Sequence, residues 1–346
     1  MQSKYRRRSV PHTLLLAFAG ALLTAAAAHG DTCTTQSQIP VAQRETIAGT
    51  ARTIVNEAQG GDIQGIRAKT MPAIAADFTG IANSIEALKP ALQNATITVN
   101  TLYLLDAQST AGGQGNTFYC SPPASTMTVV LNFSALPAGK YAVAILHATG
   151  VAKPQQVALV LSHGEGGQWQ LAGFFSKPML ESGHDGIWYW TQARQFAAKK
   201  MNLNAWYYYQ TAAGLLQPAD FLSSPNLDKL RREADQVHPG DLPEGKSMTL
   251  ASGGNSFEVT GLYETSELGS LDLAIHYNPT AAQAAQLRDP VAARQQVLDL
   301  MKAMLAIHPE LREAFHGIWV HADSGNASIF ALELSMDQIT GSHPTA

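Results

Sequence analysis

The sequence predicts an α+β protein, because its apolar residues recur at helical spacing in some segments and alternate along others. Helical spacing dominates residues 39 to 92, and alternation dominates residues 96 to 178. Residues 179 to 237 are again helical, and residues 247 to 346 combine strands with one long helix. We therefore predict N-terminal helices on a curved antiparallel sheet, a helical hairpin connector and a small C-terminal ββαββ domain.

The N-terminus predicts export. A basic segment, KYRRR, precedes an apolar run from Thr13 to Ala28, and small residues then offer cleavage after Ala28 or Gly30. The apolar run is shorter than the ~20 residues that a membrane-spanning helix needs. We expect residues 1 to 30 to be a signal peptide, the mature chain to be secreted or periplasmic, and no transmembrane segment to remain in it.

Composition and cysteine content narrow the classes of function. Charged residues make up 14% of the chain and the formal net charge is −4, whereas nucleic-acid binding requires concentrated lysine and arginine. We therefore expect no nucleic-acid partner. Cys33 and Cys120 are predicted to form a disulfide, because two thiols in an oxidising compartment more often pair than stay free. This bond would hold the mature N-terminus onto a strand; a reactive thiol is the alternative.

Three helices are predicted before the first sheet. Apolar residues recur at helical spacing between residues 39 and 59, where GGD ends the helix, and a short helix follows near residues 63 to 69. Pro72 then stands in the first turn of a third helix. Its apolar stripe has spacings of three and four residues and consists of Ile74, Phe78, Ile81, Ile85, Leu88 and Leu92.

Alternating strands follow these helices. They are TITVNTLYLLD, MTVVLNF, KYAVAILHA, QQVALVLS and QWQLAGFF, and the turn HGEGG joins the last two. Three helices followed by four or five long strands that end in GQWQLAGFFSKP resemble the NTF2-like (cystatin-like) superfamily. The resemblance covers residues 39 to 178 and implies a domain over residues 31 to 178 with a cone-shaped pocket. That superfamily includes enzymes and binding modules, so the resemblance implies no particular use of the pocket.

His147 is the candidate catalytic residue of such a pocket. It shares a strand face with Tyr141, Val143 and Ile145, so it would be the polar group inside the cone if this face lines it. The alternative is that a backbone carbonyl satisfies the imidazole, or that it lies at the end of the strand.

The connector, residues 179 to 237, is rich in aromatic residues. Its two predicted helices carry residues at positions that resemble a single tetratricopeptide repeat, and FLSSPNLDKLRREADQV predicts a third helix. The aromatic residues can pack between domains, or their exposed part can bind a peptide or glycan. The candidates for such binding are Trp188, Trp190, Trp206, Tyr207 and Tyr208. His184 and Asp185 precede the first helix, and we expect Asp185 or Ser182 to cap it rather than His184 and Asp185 to form a catalytic pair.

The C-terminal domain is predicted over residues 247 to 346, after a linker at 238 to 246. Two strands, a helix that starts near Asp289 and a final hairpin give the ββαββ order. His321 and Asp323 share a strand face, His316 falls on the other face, and His276 joins the first two if its strand is adjacent. Two ligands fall short of the three or four that zinc requires, so we expect no metal or other cofactor.

The sequence contains none of the common catalytic motifs, namely G-x-S-x-G, H-E-x-x-H, a Walker loop, G-x-G-x-x-G after a strand, or C-x-x-C. We expect a non-catalytic module that binds a small ligand or a protein partner in the bacterial envelope. The alternative is a hydrolase or isomerase that uses the N-terminal pocket. The whole chain also resembles uncharacterised exported bacterial proteins that share GHDGIWYWTQAR and LREAFHGIWV, and this likeness adds no chemistry.

Overall fold

The computed structural model describes residues 31–108, 115–134 and 136–341, and the predicted signal peptide lies outside them. It confirms the α+β class. The helices are α1 Val41–Gly60, α2 Ile63–Ala68, α3 Pro72–Ala75, α4 Thr79–Leu92, α5 Gly186–Ala198, α6 Asn202–Leu216, α7 Pro225–Asp235, α8 Ala281–Gln286, α9 Pro290–Ile307 and α10 Met336–Thr340, with a 3-10 helix at Pro309–Glu313. The strands are β1 Thr32–Thr35, β2 Thr96–Ala107, β3 Asn116–Cys120, β4 Val129–Phe133, β5 Gly139–Thr149, β6 Gln155–His163, β7 Trp169–Pro178, β8 Leu180–Glu181, β9 His184–Asp185, β10 Leu222–Ser223, β11 Met248–Ser252, β12 Asn255–Thr265, β13 Asp272–Asn278, β14 Gly317–Ser324 and β15 Ala327–Ser335.

The N-terminal helices follow the apolar periodicity with one interruption. Helix α1 buries its predicted stripe and ends where Gly61 takes a left-handed conformation, at φ 77°. The predicted third helix is divided into α3 and α4, with Phe78 buried between them. Thr79 and Gly80, which begin α4, have low helix propensity, and this favours a break at that point.

The first sheet is antiparallel in the order β1-β2-β5-β6-β7 and is buried on both faces. Along β5, Ala142, Ala144 and Leu146 pack in a core with α1 and α4. Tyr141 and Val143 point to the opposite face. There they pack against a second sheet, β10-β4-β3, and against the start of α7. The short strands β1, β3 and β10 were not predicted from the sequence.

The predicted disulfide is present. Cys33 lies on β1 and Cys120 on β3, and their Cα atoms are 5.2 Å apart. Cys33 is also paired in register with Leu105 of β2. The bond therefore joins the N-terminal strand of the five-stranded sheet to the three-stranded sheet that covers it.

The connector helices and the C-terminal sheet share one core. Tyr189 of α5 and Tyr208 of α6 are buried together with Phe257 and Tyr277 of the C-terminal sheet. The Tyr208 hydroxyl donates a hydrogen bond to the carbonyl of Ala314 at 2.7 Å, after the 3-10 helix. These contacts explain why α6 carries aromatic residues on most of its circumference, since its faces are enclosed by other elements.

The C-terminal sheet has the order β11-β12-β13-β14-β15. The predicted ββαββ order omitted its first strand, β11, which pairs with β12. Strands β13 and β14 are parallel, so the chain must cross over between them, and α8 and α9 form this crossover. Helix α9 covers one face of the sheet through Val297, Leu300 and Met304. Within the described ranges, no helix has the length and hydropathy of a membrane-spanning segment.

Candidate functional site

A cleft of about 540 Å³ lies where the first sheet, α6 and the turn between β12 and β13 meet. We call it the central cleft. The sheet side contributes Lys153, Lys177 and Glu181, and helix α6 contributes Gln210 and Gly214. The turn side contributes Glu264, Thr265, Ser266 and Glu267. Four segments that are distant in sequence thus build its walls.

Local chain features leave this space open. Strand β7 ends at Pro178, which cannot donate a hydrogen bond to a further ladder pair. Helix α6 presents Gly214 to the cleft, and a Cβ atom added there would meet no heavy atom within 4 Å. A larger residue at this position would extend into the cleft, so the absence of a side chain at Gly214 leaves that space free.

Glu264 is a lining residue of the cleft whose pKa is raised. It lies opposite the buried Leu273 in the β12–β13 ladder, at the rim of the apolar face of the sheet. Burial raises its pKa to about 7, its own backbone N–H lowers the pKa, and the charge of Glu181 raises it further. The carboxyl group therefore loses its proton near neutral pH and not near its ordinary pKa of 4.5.

Two further cavities adjoin the central cleft. One of about 410 Å³ shares Gln210 and Glu264 with it and is lined by Trp206, Tyr207 and Tyr263; we call it the aromatic extension. The Tyr207 hydroxyl is buried and has no hydrogen-bond partner among the described residues. Burial and the nearby carboxylate of Glu264 raise the pKa of Tyr207. The hydroxyl is therefore neutral at physiological pH.

The second adjoining cavity, of about 420 Å³, shares Lys153 and Glu181 with the central cleft. Groups of both signs line the combined space, and Glu181 stands on the sheet side with the lysines. Lys153 and Lys177 stand on the sheet side, and the Lys177 ammonium pairs with Asp220 at 2.7 Å. The glutamates 264 and 267 stand on the turn side. A ligand with a cationic end and an anionic end matches this arrangement.

The structure places the aromatic candidates at two depths. Trp190, Tyr207 and Tyr208 are buried, and Trp188 and Trp206 are partly buried against the same core. Packing therefore accounts for most of the aromatic cluster. Trp206 and Tyr207 also line the aromatic extension, so these two of the predicted binding residues reach a cavity.

Polar contacts of the cluster confirm the predicted cap. The Asp185 carboxylate accepts a hydrogen bond from the backbone N–H of Trp188 at 2.8 Å and thereby caps α5. His184 stacks on the ring of Trp188 with the ring centroids 3.7 Å apart. Neither residue of the pair thus needs a catalytic role to explain its position.

His147 lies on the same face as Tyr141 and Val143, and burial lowers its pKa. That face is occupied by the second sheet where Tyr141 and Val143 pack. Gln156, the cross-strand partner of His147, donates a hydrogen bond to the carbonyl of Leu215 at 2.6 Å and so attaches α6 to the sheet. His147 is not among the residues that line the three cavities described above.

The metal-ligand candidates come together on the C-terminal sheet. His276 and His321 are direct neighbours on β13 and β14, and their rings stack 4.5 Å apart and nearly parallel. The Nδ1 atom of His276 lies 2.7 Å from an oxygen of Asp323. Of the described residues, however, the group of three whose ligand atoms all lie within 4.8 Å is a different one, Asp272, His316 and Glu333.

Sequence reasoning missed Glu264 because of a β-bulge. Strict alternation from the buried Phe257 and Val259 places Tyr263 on the core face and Glu264 outside. The register shifts between Val259 and Gly261, so Leu262 and Glu264 take the core face instead. The signal was the glycine inside the strand, which often marks a bulge.

Comparison of the chain with protein-family models, with curated proteins and with solved structures finds no match. The function is therefore inferred from the geometry and charge of the cleft.

Proposed function

We propose that the protein is an exported, non-catalytic binding protein that holds a small zwitterionic ligand, such as a free amino acid or a short peptide, in the central cleft. The observation that carries this proposal is Glu264, a carboxyl group whose pKa burial raises to about 7 at the wall of a ligand-sized cavity. Secreted or periplasmic location is supported by the Cys33–Cys120 disulfide, which is typical of oxidising compartments.

A protonated amino group on the ligand would complete this site. Ionised Glu264 is partly desolvated, and Glu181 adds repulsion, so a cation beside it is stabilised by both carboxylates. Lys153, which also lines the cleft, would contact the carboxylate of the ligand. The aromatic extension begins at Gln210 and would receive an apolar side chain against Trp206.

The ligand class is tested by thermal shift and calorimetry on the mature chain from Asp31. The probes are amino acids and dipeptides, each compared with its N-acetylated form, which lacks the amino group, and with its C-terminal amide, which lacks the carboxylate. A ligand at ~100 times its Kd should stabilise the protein by about 2.7 kcal/mol. We expect N-acetylation to abolish the shift and amidation to reduce it.

Two variants locate the binding site. Gly214→Leu fills the cleft from α6, and Gly49→Leu, a mid-helix glycine of α1 whose added Cβ also meets nothing within 4 Å, is the matched control. Only Gly214→Leu should abolish binding. Binding that survives Gly214→Leu would contradict a site in the central cleft, and equal binding of N-acetylated probes would contradict recognition of the amino group.

Binding should also depend on pH. An ammonium group favours ionised Glu264, so binding releases a proton wherever free Glu264 is still protonated. Affinity should therefore fall as the pH is lowered through about 7, the pKa of the free carboxyl. Glu264→Gln should weaken binding and remove this dependence.

A hydrolase or isomerase is the second candidate, because a carboxyl group with a pKa near the working pH is suited to general acid–base catalysis. Glu264 supports this alternative better than His147, since Glu264 lines a cavity. Turnover of an ester, peptide or isomerisable substrate that Glu264→Gln abolishes would favour the enzyme. Binding of an amino acid without any turnover would favour the binding protein. The NTF2-like fold of residues 31 to 178 stays a prediction.

A further inference from the structure

Three side chains of types that can bind metals, Asp272, His316 and Glu333, converge at one end of the C-terminal sheet. Asp272 is the first residue of β13, His316 directly precedes β14, and Glu333 lies on β15. The Nδ1 atom of His316 is 3.2 Å from an oxygen of Asp272 and 3.7 Å from Oε1 of Glu333. Strand β14 starts at Gly317, so the alternation that placed His316 on the opposite face does not apply to it.

One carboxylate oxygen of this group lacks a hydrogen-bond donor. The Asp272 side chain is 1% exposed, and Oε1 of Glu333 is buried without a hydrogen-bond partner among the described residues. Oδ1 of Asp272 and Oε1 of Glu333 both lie next to Gly317, and a Cβ atom added at Gly317 would collide with Oε1 of Glu333. Asp272 accepts a hydrogen bond from the backbone N–H of Gly317 and lies 3.2 Å from Nδ1 of His316, whereas Oε1 of Glu333 has neither kind of partner. A buried carboxylate oxygen without a partner is costly, and a cation would satisfy it.

The position of His316 suits a ligand at an accessible site. Its backbone N–H donates to the carbonyl of Leu271, and its own carbonyl accepts from the N–H of Met336, both at 2.9 Å. The backbone is thus held on both sides, while the imidazole is 54% exposed. Solvent can therefore reach the imidazole side of the group.

We propose that Asp272, His316 and Glu333 bind a divalent transition-metal ion, with Zn²⁺ as the best match. A tetrahedral Zn²⁺ with bonds of about 2.0–2.2 Å holds its ligand atoms about 3.3–3.6 Å apart. The separations of 3.2 and 3.7 Å from His316 Nδ1 bracket that range. Three protein ligands with water in the fourth position form an open site, and the two carboxylates neutralise the charge of the ion.

The ligand set also selects among metals. An imidazole nitrogen suits zinc and its transition-metal neighbours, whereas Ca²⁺ takes six to eight oxygen ligands and Mg²⁺ retains several waters.

The test is titration of the chelator-treated mature chain with Zn²⁺ by calorimetry, and with Co²⁺ by visible absorption, which reports tetrahedral coordination. We expect one ion per chain and no competition from Mg²⁺ or Ca²⁺. His316→Ala and, separately, Glu333→Gln should each weaken Zn²⁺ binding by more than about 100-fold, because loss of an outer-shell partner alone costs 10–100-fold. Far-UV circular dichroism checks that each variant is folded.

His276→Ala and His321→Ala are the matched controls, since these two histidines form the other imidazole group on the same sheet. Both controls should bind Zn²⁺ like the unaltered protein. The proposal is overturned if no Zn²⁺ binds at millimolar concentration. It is equally overturned if His276→Ala or His321→Ala abolishes binding while His316→Ala and Glu333→Gln retain it.

Discussion

Replacement of Glu264 by glutamine should make the stability of the protein less dependent on pH. Burial raises the pKa of Glu264 from its ordinary value of 4.5 to about 7. Between these values the native state holds a proton that the unfolded state has released, so stability falls as the pH rises from 4.5 to 7. Glutamine has nearly the same shape and no charge, so the variant lacks this contribution.

The size of the effect follows from the two pKa values. At ~1.4 kcal/mol per pKa unit, the shift corresponds to about 3 kcal/mol, and this is an upper bound because the side chain is only partly buried. The quantity to compare is the free energy of unfolding of Glu264→Gln minus that of the unaltered protein. Above pH 7 this difference should be up to about 3 kcal/mol more positive than at pH 4.5.

Urea unfolding of both proteins at several pH values from 4.5 to 8 measures this difference. Glu267→Gln, an exposed carboxyl on the turn that follows β12, is the matched control and should show little change with pH. If the stability difference between Glu264→Gln and the unaltered protein is the same at pH 4.5 and pH 8, Glu264 is not a buried carboxyl with a raised pKa. The electrostatic basis of the proposed site would then be wrong.

Three further predictions concern the fold, and chemical denaturation measures each of them. Reduction of the Cys33–Cys120 disulfide, or its replacement by two serines, should lower the free energy of unfolding by roughly 2–5 kcal/mol, because the disulfide closes a long loop. An unchanged unfolding midpoint would show that β1 is held in place without the disulfide. Asp185→Ala should cost about 1 kcal/mol through loss of the α5 cap, and Asp185→Asn should retain most of it; equal losses in both would rule out capping. Tyr208→Phe should cost roughly 1–3 kcal/mol, because it leaves the carbonyl of Ala314 unsatisfied, and no loss would indicate that water replaces the hydroxyl.

Much of the secondary structure could be predicted because it depends on local periodicity. The stripe of α1 is buried as its spacing indicates, and the alternation along β5 separates two cores. The division between α3 and α4 was missed because an apolar stripe records burial and not backbone continuity. The strands β1, β3 and β10 are short, and their apolar pattern is too brief to stand out.

The candidate site could be predicted only in part. The aromatic residues Trp206 and Tyr207 were identified, and they line the aromatic extension. Glu264 was missed because a one-residue bulge reverses the facing of every residue beyond it. His316 was placed on the wrong face for a related reason, since alternation applies only within a strand and His316 precedes one.

The sequence by itself determined the α+β class, most of the helices and strands, the cap of α5 and the pairing of the only two cysteines. The class, the elements and the cap depend on residues that are close together in the chain. The disulfide has only one possible pairing, because the chain contains two cysteines. The tertiary structure alone decided the central cleft and the group of Asp272, His316 and Glu333. Their members come from segments far apart in sequence, and strand order and register, which apolar periodicity does not encode, bring them together.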